Sequence, residues 1–133
     1  MLRPLYGLNL PYNTACTPSR EALDPTVVFV SGQFIKLTNG LADLAVAPAD
    51  GIGSEVVFEQ NNKNWSGTVP TIFGLLEAET DQYNPASVYV DRAELVTRNG
   101  VLDVAEPAEL PYAIAYAIGV PVDGVLTYHR YQA

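Results

Sequence analysis

Thr38-Asn39-Gly40-Leu41-Ala42-Asp43-Leu44-Ala45 returns sixty residues later as Arg98-Asn99-Gly100-Val101-Leu102-Asp103-Val104-Ala105. Asn-Gly between alternating apolar residues is the strongest short-range signal for a tight β-hairpin, because both turn residues need positive φ. Two such hairpins in one small chain fix its class as mainly β. With a two-residue loop the register follows: Thr38 lies opposite Leu41, Leu37 opposite Ala42, Lys36 opposite Asp43 and Ile35 opposite Leu44. One face then gathers Ile35, Leu37, Ala42, Leu44 and Val46, while the other sets Lys36 against Asp43 as an exposed ion pair. In the second hairpin Leu95 meets Val104 and Thr97 meets Leu102 on the apolar side, with Val96 against Asp103 on the outer side. Val88-Tyr89-Val90 also parallels Val28-Phe29-Val30 at the same offset. Identities between 26–60 and 86–120 are few, so a duplication stands beside the ordinary reuse of hairpins in sandwiches and barrels.

Further strand signals fill residues 26–133. Thr26–Val30 is β-branched and aromatic, and Glu55–Gln60 makes a short strand before the polar loop Asn61–Gly67, which holds the sole tryptophan, Trp65. Thr71–Thr80 is open between strand and short helix. Tyr112, Ile114, Tyr116 and Ile118 alternate with alanines, which predicts a strand between Pro111 and Gly119. Asp123-Gly124 turns into a last strand over Val125–Tyr131. The expected fold is a small antiparallel β-barrel or β-sandwich of about eight to ten short strands.

Residues 1–25 differ from this β domain of 26–133. Pro4, Pro11, Pro18 and Pro25 recur every seven residues and favour an extended N-terminal arm over continuous helix or strand. The arm carries Leu5, Tyr6, Leu8, Leu10 and Tyr12, more apolar surface than a solvated tail would hold. Such surface calls for burial against its own body or, the preferred reading, against a neighbour. Those five residues and Trp65 are the candidate protein-contact residues.

Charge narrows the partners. Fifteen acids against seven bases leave a net charge of −8, which argues against nucleic acid and against anionic membrane surfaces. No long apolar run follows Met1-Leu2-Arg3-Pro4, so no signal peptide or membrane span is expected, and synthesis in the cytoplasm is the simplest reading. The single Cys16 excludes an internal disulfide, and one cysteine with one histidine does not make the usual zinc patterns. Asp50-Gly51-Ile52-Gly53 lacks the alternating oxygen ligands of a calcium loop. Cys16 with His129 makes a poor nucleophile and base, because the arm does not hold the thiol against anything. Glu77 with Glu79, and Glu106 with Glu109, are acid pairs that chance supplies in so acidic a chain. No metal, no cofactor and no enzymatic activity are expected.

Val30-Ser31-Gly32-Gln33-Phe34-Ile35-Lys36-Leu37-Thr38-Asn39-Gly40, with Pro111-Tyr112-Ala113-Ile114-Ala115 and Gly124-Val125-Leu126-Thr127-Tyr128, resembles the small capsid decoration, or cement, proteins of tailed bacteriophages. The resemblance implies a β-barrel or β-sandwich module on the outer virion surface, usually a homo-oligomer such as a dimer or trimer, that clamps neighbouring major capsid proteins. The arm would then be the clamping segment. The alternative is a carbohydrate- or receptor-binding module of a virion fibre or cell surface, with Trp65 and its Asn-rich loop as the site.

Overall fold

The computed structural model describes residues 1–7, 19–58 and 68–133. Eleven strands follow one another: β1 (Leu2–Gly7), β2 (Ser19–Glu21), β3 (Phe34–Thr38), β4 (Leu41–Leu44), β5 (Glu55–Val57), β6 (Thr68–Ile72), β7 (Leu76–Thr80), β8 (Glu94–Arg98), β9 (Val101–Val104), β10 (Ala115–Ala117) and β11 (Leu126–Arg130). A short 3₁₀ helix, Pro48–Gly51, lies between β4 and β5, and another, Pro107–Tyr112, between β9 and β10. The strands form two antiparallel sheets in a sandwich-like arrangement, with orders β4-β3-β5-β6-β2 and β9-β8-β10-β11-β7-β1. The fold is mainly β, as the hairpin signals require.

Both Asn-Gly turns adopt the conformation that their sequence demands. Asn39 and Asn99 have φ of 53° and 55°, and Gly40 and Gly100 follow at 79° and 81°. The registers are those read from the turns: Ile35 pairs with Leu44 and Lys36 with Asp43, while Leu95 pairs with Val104 and Val96 with Asp103.

The two halves repeat each other beyond the hairpins. Phe34 pairs with Val56 in β5, and Glu94 pairs with Tyr116 in β10, again sixty residues on. Each hairpin is followed by a 3₁₀ helix with proline in its first turn, where the missing N–H costs nothing. In each helix an acid folds back on the preceding backbone: Asp50 accepts from Ala47 N–H at 3.0 Å, and Glu109 from Glu106 N–H at 2.9 Å. A parallel bridge then sets the segment after the first strand beside the hairpin, Ala22 to Ala42 in one half and Tyr83 to Leu102 in the other. Packing follows suit. Phe29, Ile35, Ala42, Val57 and Val69 form one core cluster. Val56 pairs with Ile72 as Tyr116 pairs with His129, so β6 and β11 correspond with three residues fewer between them, Val69 to Leu126 and Phe73 to Arg130. The counterparts Tyr89, Leu95, Leu102, Ala117 and Leu126 are all buried in the larger cluster, which also takes Phe34, Val56 and Ile72 from the opposite sheet. The two halves thus repeat one another in strand pairing and in core positions.

Several expectations are corrected. Thr26–Val30 is not a strand but the approach to a tight turn, as is the parallel segment Val88–Val90, with Phe29 and Tyr89 buried. Thr71–Thr80 is two strands, broken where Gly74 takes φ of 114°. The strand expected from Tyr112 to Ile118 shrinks to Ala115–Ala117, because Pro107 and Pro111 hold the segment before it in a 3₁₀ helix. Lys36 lies opposite Asp43 but makes its ion pair elsewhere: its Nζ reaches Asp50 at 3.4 Å. Val96 and Asp103, placed on an outer face by alternation, are both buried.

The arm's described ends are extended and lie in the sheets of their own chain: β1 pairs with β7, and β2 pairs with β6. Arg20 fastens β2 through two bonds to Glu55, Nε to Oε1 at 2.9 Å and Nη2 to Oε2 at 2.6 Å. At β1, Met1 C=O accepts from Asp81 N–H, so alternation turns the next donor positions, Leu2 and Pro4, away from β7. Leu2 N–H is taken by Ser31 Oγ at 2.9 Å, and Pro4 has no N–H. The outer edge of β1 is thus blunted at both positions.

Candidate protein-contact surface

Of the contact residues expected from sequence, Leu5 lies on β1 and is 39% exposed, and Tyr6 lies on β1 opposite Glu77. Leu8, Leu10, Tyr12 and Trp65 fall outside the described residues, as does Cys16.

Among the described residues, the most exposed apolar side chains sit elsewhere, on two loops of the second half. Val88 is 81% exposed, Val122 64%, Val90 58% and Val120 57%. Backbone geometry holds these loops together. Asp91 Oδ1 accepts from Gly119 N–H at 2.8 Å, and Arg92 N–H donates to Ala117 C=O at 2.8 Å. Val90 and Val120 flank that tie. Val122 and Val125 exchange backbone hydrogen bonds of 2.9 and 3.0 Å around Asp123-Gly124, whose φ values of 52° and 76° make the tight hairpin turn. Beside it lies an open groove of about 540 Å³, with Val120, Val122 and Val125 on one side and the Arg3–Glu79 ion pair on the other. Exposed valines on hydrogen-bonded loops are a surface that does not have to be ordered before it binds. Sequence reading missed it because Val-Tyr-Val has strand periodicity; here the alternation only turns Tyr89 inward and both valines out.

A second feature of this half is polar. Asp103 accepts from Ser87 Oγ at 2.5 Å, Arg98 Nε at 2.8 Å, Val104 N–H at 2.8 Å and Asn84 Nδ2 at 3.3 Å. Burial alone would raise its pKa, but these donors outweigh it and hold the carboxyl below the ordinary aspartate value. Arg98 continues to Glu109 at 2.6 Å, and that bond, with the Glu106 N–H, lowers Glu109 as well. These bonds tie together the Asn84–Ser87 turn, the second hairpin and the 3₁₀ helix that carries Glu109.

The other candidates resolve into paired groups. His129 stacks on Tyr116 at 5.2 Å between centroids, with Nδ1 3.7 Å from Glu77. Glu79 is held by Arg3, Glu94 accepts from Tyr131 Oη, and Arg92 lies 4.7 Å from the centre of the Tyr116 ring. Burial, with Glu94 beside it, pushes the Tyr131 phenol up to about 12. Among the described residues no group of three His, Cys, Asp or Glu side chains is placed to hold a metal ion, and no helix is long and apolar enough to cross a membrane.

Comparison with family models, with curated proteins and with solved structures finds no match to this chain.

Proposed function

We propose that this chain is a virion structural protein that binds the outer capsid surface and joins neighbouring major capsid proteins, a capsid decoration or cement protein. The observation that carries the reading is the pre-ordered apolar surface of Val88, Val90, Val120 and Val122. It sits on a body whose charge is −8, which keeps a protein with exposed valines in solution until it meets its partner. Many weak copies of one such contact on a lattice add up to tight occupancy. The sequence resemblance supports the same reading.

The test is occupancy on heads assembled without this protein. A Val88→Glu, Val122→Glu double variant places two charges in the contact and is expected to lose at least about tenfold in affinity, the scale of one buried anchor or more. Both positions are well exposed, so its thermal melt is expected to match that of the parent chain. Unchanged occupancy overturns the reading, as does binding to a glycan array with no binding to heads. Deleting residues 2–20 is a poor test, because β1 and β2 belong to the sheets.

A further inference from the structure

The second half docks its hairpin tip into the first. Gly100 N–H donates to Ala45 C=O and Gly100 C=O accepts from Phe34 N–H, both at 2.8 Å, while Asn99 N–H donates to Val46 C=O at 2.8 Å. The turn enters where the β3 and β4 ends splay apart, and a Cβ on Gly100 would stand 2.4 Å from Leu44 Cδ1. Two more residues complete the contact. Thr97 Oγ1 donates to Ala47 C=O at 2.9 Å, and Arg130 Nη2 lies 3.2 Å from Ser54 Oγ with its guanidinium 5.8 Å from the Phe34 ring centre.

Repetition makes this contact polar in the sense of a plug and a socket. Plug residues of the second half, Thr97, Gly100 and Arg130, are buried. Their counterparts in the first half are Leu37, Gly40 and Phe73, and all three are exposed, Leu37 by 39% and Phe73 by 50%. Among the described residues, nothing lies within 4 Å of a Cβ added at Gly40. On the socket side, Phe34 and Ala45 are fully buried, whereas their counterparts Glu94 and Ala105 are only half-buried. The second-half 3₁₀ helix beside them exposes Leu110 by 50% and Tyr112 by 42%. Ala105 N–H donates to Glu94 C=O at 2.9 Å, as Ala45 N–H does to Phe34 C=O at 3.0 Å, so the socket geometry is the same. One molecule thus carries an unfilled plug at one end and an unfilled socket at the other, each bearing large apolar side chains.

We infer that a second copy of this chain fills each: the Asn39-Gly40 tip of one molecule, with Leu37 and Phe73, enters between Glu94 and Ala105 of the next and covers Leu110. The partner is another copy because the chain already makes this contact with itself, and the free tip and free socket are equivalent to the docked ones in backbone placement, with apolar Leu37, Phe73 and Leu110 in place of Thr97, Arg130 and Gly51. The interface is heterologous, head to tail, so copies close into a ring where the rotation allows and extend where it does not. It does not depend on the capsid reading.

Sedimentation of the full chain over a concentration series tests it. The parent chain is expected to associate. Gly40→Asn is expected to be monomeric, because asparagine tolerates the left-handed turn and the tip is open in a single molecule, whereas a side chain there blocks the socket. Leu110→Glu is expected to be monomeric through the other face. Mixed together, the two variants are expected to form a one-to-one dimer and nothing larger, since each retains the face the other has lost. Phe73→Glu replaces Gly40→Asn if the latter fails to fold. A monomeric parent chain, a folded variant that still associates as the parent does, or a mixture that stays monomeric would each overturn the inference.

Discussion

Asp43 and Asp103 occupy the same place in the two hairpins, and each accepts from the N–H of the residue that follows it. Their surroundings divide them. Asp103 is buried and also holds Ser87, Asn84 and Arg98, whereas Asp43 is half-buried and faces Lys36 without an ion pair. Removing the charge at Asp103 leaves buried donors short of an acceptor, which typically costs about 1–3 kcal/mol. Asp103→Asn is therefore expected to lower the unfolding free energy measured in urea by that amount, and Asp43→Asn to move it by less than about 0.5 kcal/mol. Equal effects would show that the network adds nothing. Alternation of apolar and polar residues could not separate the two aspartates. It assigns a side chain to a face of its own hairpin, and says nothing of what the segment around Asn84 and the 3₁₀ helix carrying Glu109 lay over that face.

At the scale of elements, turn chemistry was the most legible part of the sequence. Asn39-Gly40, Asn99-Gly100 and Asp123-Gly124 all read correctly, because positive φ is a local demand that few residues meet. The 3₁₀ helices were not legible, since Pro48-Ala49-Asp50 and Pro107-Ala108-Glu109 are too short for a periodicity. The valine surface was misread for the opposite reason: Val88-Tyr89-Val90 has a periodicity but no partner strand. Nor did turn chemistry reveal that one tip is docked and the other free. That difference has a measurable consequence. Gly40→Ala places alanine in a left-handed turn with open space around it, a cost of about 1–2 kcal/mol. Gly100→Ala bears the same backbone cost and also drives a methyl into Leu44, adding about 1–3 kcal/mol of overpacking. Urea unfolding at high dilution is expected to rank Gly100→Ala clearly below Gly40→Ala, and equal losses would contradict the docked tip.

For the whole molecule, carboxylates set the response to acid. Glu55, Asp103 and Glu109 all sit below their ordinary pKa in the folded chain. Glu55 does so because Arg20 and Thr71 donate to it against a burial that would raise it. A group depressed on folding adds stability above its unfolded pKa and loses it as pH falls through the folded value. Stability is therefore expected to be level from neutral pH down to about pH 5 and to fall below about pH 4, where free carboxylates titrate. The decline is expected to be shallower in Asp103→Asn, and a parallel decline would remove Asp103 from the account. The blunted outer edge of β1 bears on a different property of the whole molecule. With Leu2 N–H occupied by Ser31 and no donor at Pro4, the edge of the larger sheet is a poor template for an incoming strand. A concentrated stock is then expected to gain no strand at β1, since an incoming chain would find two successive positions there without a free donor.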